Sequence, residues 1–145
     1  MDRQPKLHIL DTHVWLWLME GDPRLEADVV NALEYAASLG ALTVSAVSLW
    51  EVATLEAAGR VRFLVPVSAW LEEALATPGL SVLNVDPHIA AESASLPDAF
   101  SGDAVDRILV ASARVRHGRL YTADPVIAAY AERGYVDVRT VGASA

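Results

Sequence analysis

Short apolar runs and helical stripes alternate along this chain, and their order predicts the elements. Leu7-His8-Ile9-Leu10 is a mostly apolar run of strand length that stops at Asp11. Residues 14–19 follow as a short helix ending near Gly21-Asp22-Pro23. From 25 to 39, Leu25, Val29, Leu33, Ala36 and Ala37 recur at helical spacing, and Gly40 supplies the stop. Ala41-Leu42-Thr43-Val44 reads as a second strand, after which Ser48-Leu49-Trp50-Glu51 opens a helix that runs to about residue 58. A helix over 68–76, a strand over 80–85 and a helix over 88–95 begun by Pro87 come next. Residues 96–102 form an irregular loop. Residues 103–117 carry the clearest helical stripe, in Val105, Ile108, Leu109, Ser112 and Val115. Arg119-Leu120-Tyr121-Thr122 is a strand ending just before Asp124, Pro125 opens another helix, and Tyr135-Val136-Asp137-Val138 reads as a last edge strand. Helices alternating with short apolar strands predict the α/β class. The expected architecture is a three-layer α/β/α sandwich around a mostly parallel sheet of four to five strands. No repeat, linker or low-complexity tract interrupts the pattern, so residues 1–145 read as a single domain.

Composition narrows this further. A length of 145 residues and a hydrophobic content of 53% can supply a sizeable core. No run approaches the roughly 18 consecutive apolar residues of a membrane span. The N-terminal Met1-Asp2-Arg3-Gln4-Pro5-Lys6 lacks the apolar stretch of a secretory signal, which leads to the expectation of a cytoplasmic protein. Absence of cysteine excludes disulfides, thiolate metal sites and cysteine nucleophiles. The formal charge of −8 argues against nucleic-acid binding through a broad basic face. That argument is incomplete if some of the acids hold a cation, because the ion would reverse the local sign. Arg107, Arg114, Arg116 and Arg119 lie close together in the sequence and suit either phosphate contacts or a solvated helix face.

Four carboxylates change the picture. Asp11, Glu51, Asp106 and Asp124 stand at or near predicted helix starts, and three of them closely follow a strand-like or tight-turn segment. Each has a structural explanation: Asp11 as a helix cap, Ser48-x-x-Glu51 as a capping box, Asp103 and Asp106 as cap and first-turn acid, Asp124-Pro125 as cap and first-turn proline. Capping explains acids at helix starts but not why those starts should share one edge. In a parallel sheet the C-terminal strand ends meet at one edge, where ligands bind. Acids gathered there would repel one another without a cation, and some of their pKa values should rise. An all-oxygen ligand set suits a hard divalent ion, Mg²⁺ or Mn²⁺.

Four segments, taken in order, resemble the motifs of PIN-domain ribonucleases, and in particular the VapC-type toxins of bacterial toxin–antitoxin pairs. They are Leu10-Asp11-Thr12-His13-Val14-Trp15, the stretch Ser45-Ala46-Val47-Ser48-Leu49-Trp50-Glu51, the stretch Gly102-Asp103-Ala104-Val105-Asp106-Arg107-Ile108-Leu109-Val110-Ala111-Ser112-Ala113, and Thr122-Ala123-Asp124. The resemblance implies a PIN-like parallel sheet, a homodimer, and cleavage of RNA with Mg²⁺ or Mn²⁺ held by acids, leaving a 5′-phosphate and a 3′-hydroxyl. By motif, Asp11, Glu51, Asp106 and Asp124 would be the catalytic acids and metal ligands. Asp103 is a further candidate ligand one turn before Asp106, in a segment this branch often writes D-P-x-D-R; Ala104 stands here in place of the proline. Thr12 and Thr122 would orient ligands or form ordinary turn hydrogen bonds, and Arg107 would position phosphate or pair with a neighbouring acid. His13 reads as a packed or capping histidine. Trp15, Trp17, Trp50 and Trp70 read as core or partner-interface residues. A toxin would have a small cognate antitoxin carrying a basic segment, laying a helix into an apolar groove. The alternative is a non-catalytic PIN-like module that binds through its acidic groove. A receiver-type switch would need a late lysine, yet the single lysine is Lys6; a haloacid-dehalogenase-type phosphatase would need a second acid at position 13, where His13 stands.

Overall fold

A computed structural model describes residues 4–142 of the chain. Met1-Asp2-Arg3, the head of the segment read for a secretory signal, lie outside the described residues. Among the described residues five short strands, β1 (His8–Leu10), β2 (Leu42–Ser45), β3 (Leu80–Leu83), β4 (Arg119–Thr122) and β5 (Val138–Thr140), form one sheet in the order β3-β2-β1-β4-β5. Every neighbouring pair is parallel, so the sheet is wholly rather than mostly parallel. Among the same residues seven helices connect or follow them: α1 (Thr12–Glu20), α2 (Ala27–Ser38), α3 (Ala46–Ala57), α4 (Val67–Leu75), α5 (Pro87–Ala94), α6 (Ala104–Arg116) and α7 (Pro125–Glu132). No helix among the described residues is long and apolar enough to cross a membrane.

The period of two along each strand builds the three layers. Leu10, Leu42, Val44 and Tyr121 face one side and pack with Val14, Trp15, Leu33 and Val52 of α1–α3 and Ala74 of α4. Ile9, Leu83 and Leu120 face the other and pack with Ile89, Leu109, Val110 and Ile127 of α5–α7. With both faces covered, β1 and β4 at the centre contribute Ile9, Leu10 and Leu120 with no solvent exposure.

Most expected elements appear with ends moved by one or two residues, and in two the shift changes what a residue does. The helix expected to open at Ser48 begins at Ala46, capped by Ser45, whose hydroxyl accepts from the Val47 amide at 3.2 Å. The proposed Ser48–Glu51 capping box is therefore absent, because both residues already lie inside the helix. The last strand is not 135–138 but Val138–Thr140, in register with Leu120–Thr122. Tyr135 and Val136 are spent on packing instead, against the second apolar cluster.

Candidate active site

Because all five strands run the same way, their C-terminal ends open onto one edge, and the chain leaves three of them directly into helices. β1 runs through Asp11 into α1, β2 passes at once into α3, and β4 runs through Ala123-Asp124 into α7. The loop 96–102 delivers Asp103 and α6 to the same edge. Asp11, Glu51, Asp103, Asp106 and Asp124 line one cavity there of about 310 Å³, with His13 and Trp17 at its side. Residues separated by as many as 113 positions in the chain are thus brought together, and helix N-termini at this edge add partial positive charge.

The geometry revises several expected roles. Asp11 sits at the N-cap position of α1 but makes no side-chain cap hydrogen bond. Its carboxylate is buried, 8% exposed, and Oδ2 accepts from the Thr122 hydroxyl at 2.5 Å. Thr122 Oγ1 in turn accepts from the Asp124 amide at 3.0 Å, which commits its proton to Asp11 and ties two of the acids together. Asp103 and Asp106 do form a capping box: Asp103 Oδ1 accepts from the Asp106 amide at 2.9 Å, and Asp106 Oδ2 from the Asp103 amide at 3.3 Å. Asp124 Oδ1 caps α7 through the Val126 amide at 2.8 Å. Each cap uses one oxygen, leaving the other carboxylate oxygen for the cavity, so capping and ligation are not alternatives here.

Thr12 does not reach a carboxylate. It is fully buried and donates to Ser48 Oγ at 2.8 Å, clamping α1 onto α3 one turn before Glu51. Arg107 neither lines the cavity nor pairs with an acid; its guanidinium donates to the carbonyls of Ser93 and Phe100, both at 2.8 Å, and so fastens the loop that presents Asp103. The arginines adjacent in sequence disperse as well: Arg114 pairs with Glu92, Arg116 with Asp86 and Arg119 with Asp137. His13 is exposed and faces the cavity, not packed as expected. Of the tryptophans, Trp15 is core, Trp70 stacks on Phe63 at 4.4 Å, and Trp50 is 62% exposed.

Crowded carboxylates leave an electrostatic trace. Burial pushes the Asp11 carboxyl above its usual range, with the Thr122 hydrogen bond opposing it. Asp106 is pushed up to about 7, first by burial and then by the charges of Asp103, Asp124 and Asp11. Among the described residues no set of three or more His, Asp or Glu side chains is close enough to close directly around a metal ion. A wide cavity of carboxylate oxygens nevertheless fits a small hard cation that keeps several waters and is held directly by one or two carboxylates. The donor set and the raised carboxyl of Asp106 both suit such an ion.

A linkage prediction follows from the sign of these shifts. A carboxyl whose folded-state pKa exceeds its unfolded value of 3.8 binds more protons when folded, so stability from it is full below about pH 4 and is lost as pH rises to about 7. In chelator, the melting temperature of the wild type relative to Asp106→Asn should therefore drop by a few degrees between pH 4 and pH 8. Added Mn²⁺ should recover more stability at pH 8 than at pH 5 in the wild type and much less in the variant. Parallel melting curves for the two proteins would contradict the coupling.

A family model described as "PIN domain" matches residues 8–133. Ribonuclease VapC22 of Mycobacterium tuberculosis (strain ATCC 25618 / H37Rv) is 34% identical over 117 residues, which span 80% of this chain and 85% of that protein. Among solved structures, VapBC2 from Rickettsia felis bound to a DNA fragment from its promoter superposes with a TM-score of 0.68 at 13% identity, over 93% of this chain and 98% of that one. DNA-bound VapBC from Salmonella typhimurium superposes with a TM-score of 0.69 at 15% identity, over 94% and 98%. At those identities the structures bear on the fold alone.

Proposed function

The chain belongs to the PIN-domain family, and we propose that it is a metal-dependent endoribonuclease serving as the toxin of a toxin–antitoxin pair. One observation carries the reading: five carboxylates from four separated segments line a single cavity at the C-terminal edge of a parallel sheet. Likeness to a protein named as a ribonuclease and to VapBC complexes supports RNA as substrate and an antitoxin as partner. We read residues 1–145 as one PIN-like unit that works as a homodimer in the cytoplasm, with Mg²⁺ or Mn²⁺ as the ion.

Asp11 and Asp106 would hold the cation, directly or through water, with Asp103 available one turn from Asp106. Once bound, a divalent ion supplies charge stabilisation at the phosphoryl oxygen and acidifies a water. Glu51 and Asp124 would orient the attacking water or complete the ligand set. Thr122 would hold Asp11 in one rotamer and report the position of Asp124 to it. Such hydrolysis leaves a 5′-phosphate and a 3′-hydroxyl. A non-catalytic binding module needs none of this arrangement, and retention of every acid in one cavity disfavours it.

The test is expression in bacteria without the antitoxin, followed by sequencing of new RNA ends that carry a 5′-phosphate. Recurrent new ends at defined sites, reproduced by the purified protein with Mn²⁺, would support the assignment. An unchanged RNA population in cells containing folded protein would leave the binding-module alternative.

A further inference from the structure

Most of the described basic side chains are already committed. Lys6 and Arg119 pair with Asp137, Arg133 with Asp98 and Arg139 with Asp28, beside the pairs of Arg114 and Arg116 and the carbonyl contacts of Arg107. Arg60 and Arg62 make no ion pair among the described residues. Arg24 stands 3.8 Å from Asp22 Oδ1, an oxygen already taken by the Arg24 amide at 2.9 Å, and its side chain is 63% exposed. Uncommitted positive charge is therefore concentrated after α1 and after α3.

Those two places bound a second groove of about 490 Å³, lined by His13 and Trp17 of α1, by Arg24 beyond α1 and by Arg60 beyond α3. Glu20 and Asp22 also line it, so the groove is close to neutral where the neighbouring cavity carries five acids. His13 and Trp17 line both, which makes the two spaces neighbours. Trp17 also carries the Arg24 guanidinium over its ring, with Cζ 5.2 Å from the centroid. This stacking restrains Arg24 in the groove beside the acidic cavity, and a pre-ordered guanidinium loses less freedom on gripping a phosphate.

We propose that this groove is the track by which the RNA strand runs on from the acidic cavity, with Arg24 and Arg60 holding the phosphates next to the scissile one. The inference rests on the ribonuclease reading and adds to it the direction of the strand. An RNA passing five carboxylates is repelled everywhere except at the ion. Holding it requires cations nearby, and the groove beside the cavity offers two: Arg60, without an ion pair among the described residues, and Arg24, held only loosely by Asp22. Both are positioning residues, with no contact to the reacting atoms.

The experiment uses a short RNA bearing the cleavage site mapped in cells, with Mn²⁺, and compares wild type, Arg24→Ala, Arg60→Ala, the double alanine variant and the double lysine variant. Each alanine should raise KM several-fold with kcat little changed, and the pair by about tenfold. For a single strand, each lost phosphate contact should flatten the slope of log affinity against log salt by about 0.7. The double lysine variant should regain most of the affinity. Unchanged KM and salt slope in a double alanine variant that still cleaves RNA would overturn the track and leave the nuclease intact. So would a loss of kcat alone, failure of folded lysine variants to rescue, or weakening of antitoxin binding without any effect on RNA. A wild type that cleaves no RNA would sink the nuclease reading and this inference with it.

Discussion

Asp11→Asn should abolish RNA cleavage and growth arrest while leaving a folded protein that, in chelator at neutral pH, is at least as stable as the wild type. The two halves of this expectation have one cause. Asp11 is the most buried of the cavity acids, and burial raises its carboxyl above the usual range, so its charge works against the metal-free fold. Asparagine removes that charge, keeps the shape and still offers an oxygen to the Thr122 hydroxyl. The same change deletes a negative ligand from a site whose cation would supply several kcal/mol of charge stabilisation. Losing about 4 kcal/mol of it corresponds to a roughly thousand-fold slower reaction. Activity on RNA, growth on induction and melting temperature with and without Mn²⁺ provide the check. The stabilisation by Mn²⁺ should shrink along with the activity. A soluble, folded variant with full toxicity would remove Asp11 from the site.

The elements that position the acids were readable because their signals are local. Asp11 and Asp124 follow short segments that read as strands and are strands in the fold, and Pro125 marks the start of α7. Asp103 with Asp106 announces a helix start by spacing alone, and the structure has the reciprocal bonds. Glu51 lines the cavity, but the capping box offered as its structural explanation does not form. Ser45 ends a buried strand and looks like its last residue, so Ser48 was the visible cap; in the fold Ser45 caps and Ser48 is free to accept from Thr12, 36 residues away. No sequence pattern encodes that bond. β5 starts later than its side chains suggest: Tyr135 and Val136 are strand-like, but they pack against the second core, and pairing starts at Val138.

Side-chain direction was the part that sequence could not supply. Arg114 and Arg116 are neighbours in the chain, but two residues on a helix turn through about 200°, so they meet different acids, Glu92 and Asp86. Arg107 follows a cavity acid yet points back to carbonyls at 93 and 100. His13 follows Thr12 and turns the other way, into the cavity that Thr12 avoids. Arg24, held only loosely by Asp22, and Arg60, without an ion pair among the described residues, carry no motif and stand out only beside the cations that the fold pairs.

Thr122→Val should lower activity and Mn²⁺ affinity by about 10–100-fold without touching a ligand, the range seen when a group that orients a metal ligand is lost. Valine matches threonine in shape, and position 122 is fully buried, so the backbone of β4 has no reason to move. What disappears is the chain from the Asp124 amide through the Thr122 hydroxyl to Asp11 Oδ2, at 3.0 and 2.5 Å. Asp11 then has no donor holding that oxygen, and the Asp124 amide loses its acceptor. The variant should be less stable by about 1–3 kcal/mol, because buried polar groups are left without partners. The Asp11 carboxyl pKa should rise further still, since the Thr122 bond is the largest of the effects that oppose burial there. Thr122→Ser keeps the hydroxyl and should recover most of the lost activity. Mn²⁺ titrations and rate profiles against pH on the three proteins separate this account from simple loss of packing: the valine variant should need a higher pH to reach half its plateau rate, whereas a packing defect would scale the whole profile down without moving it.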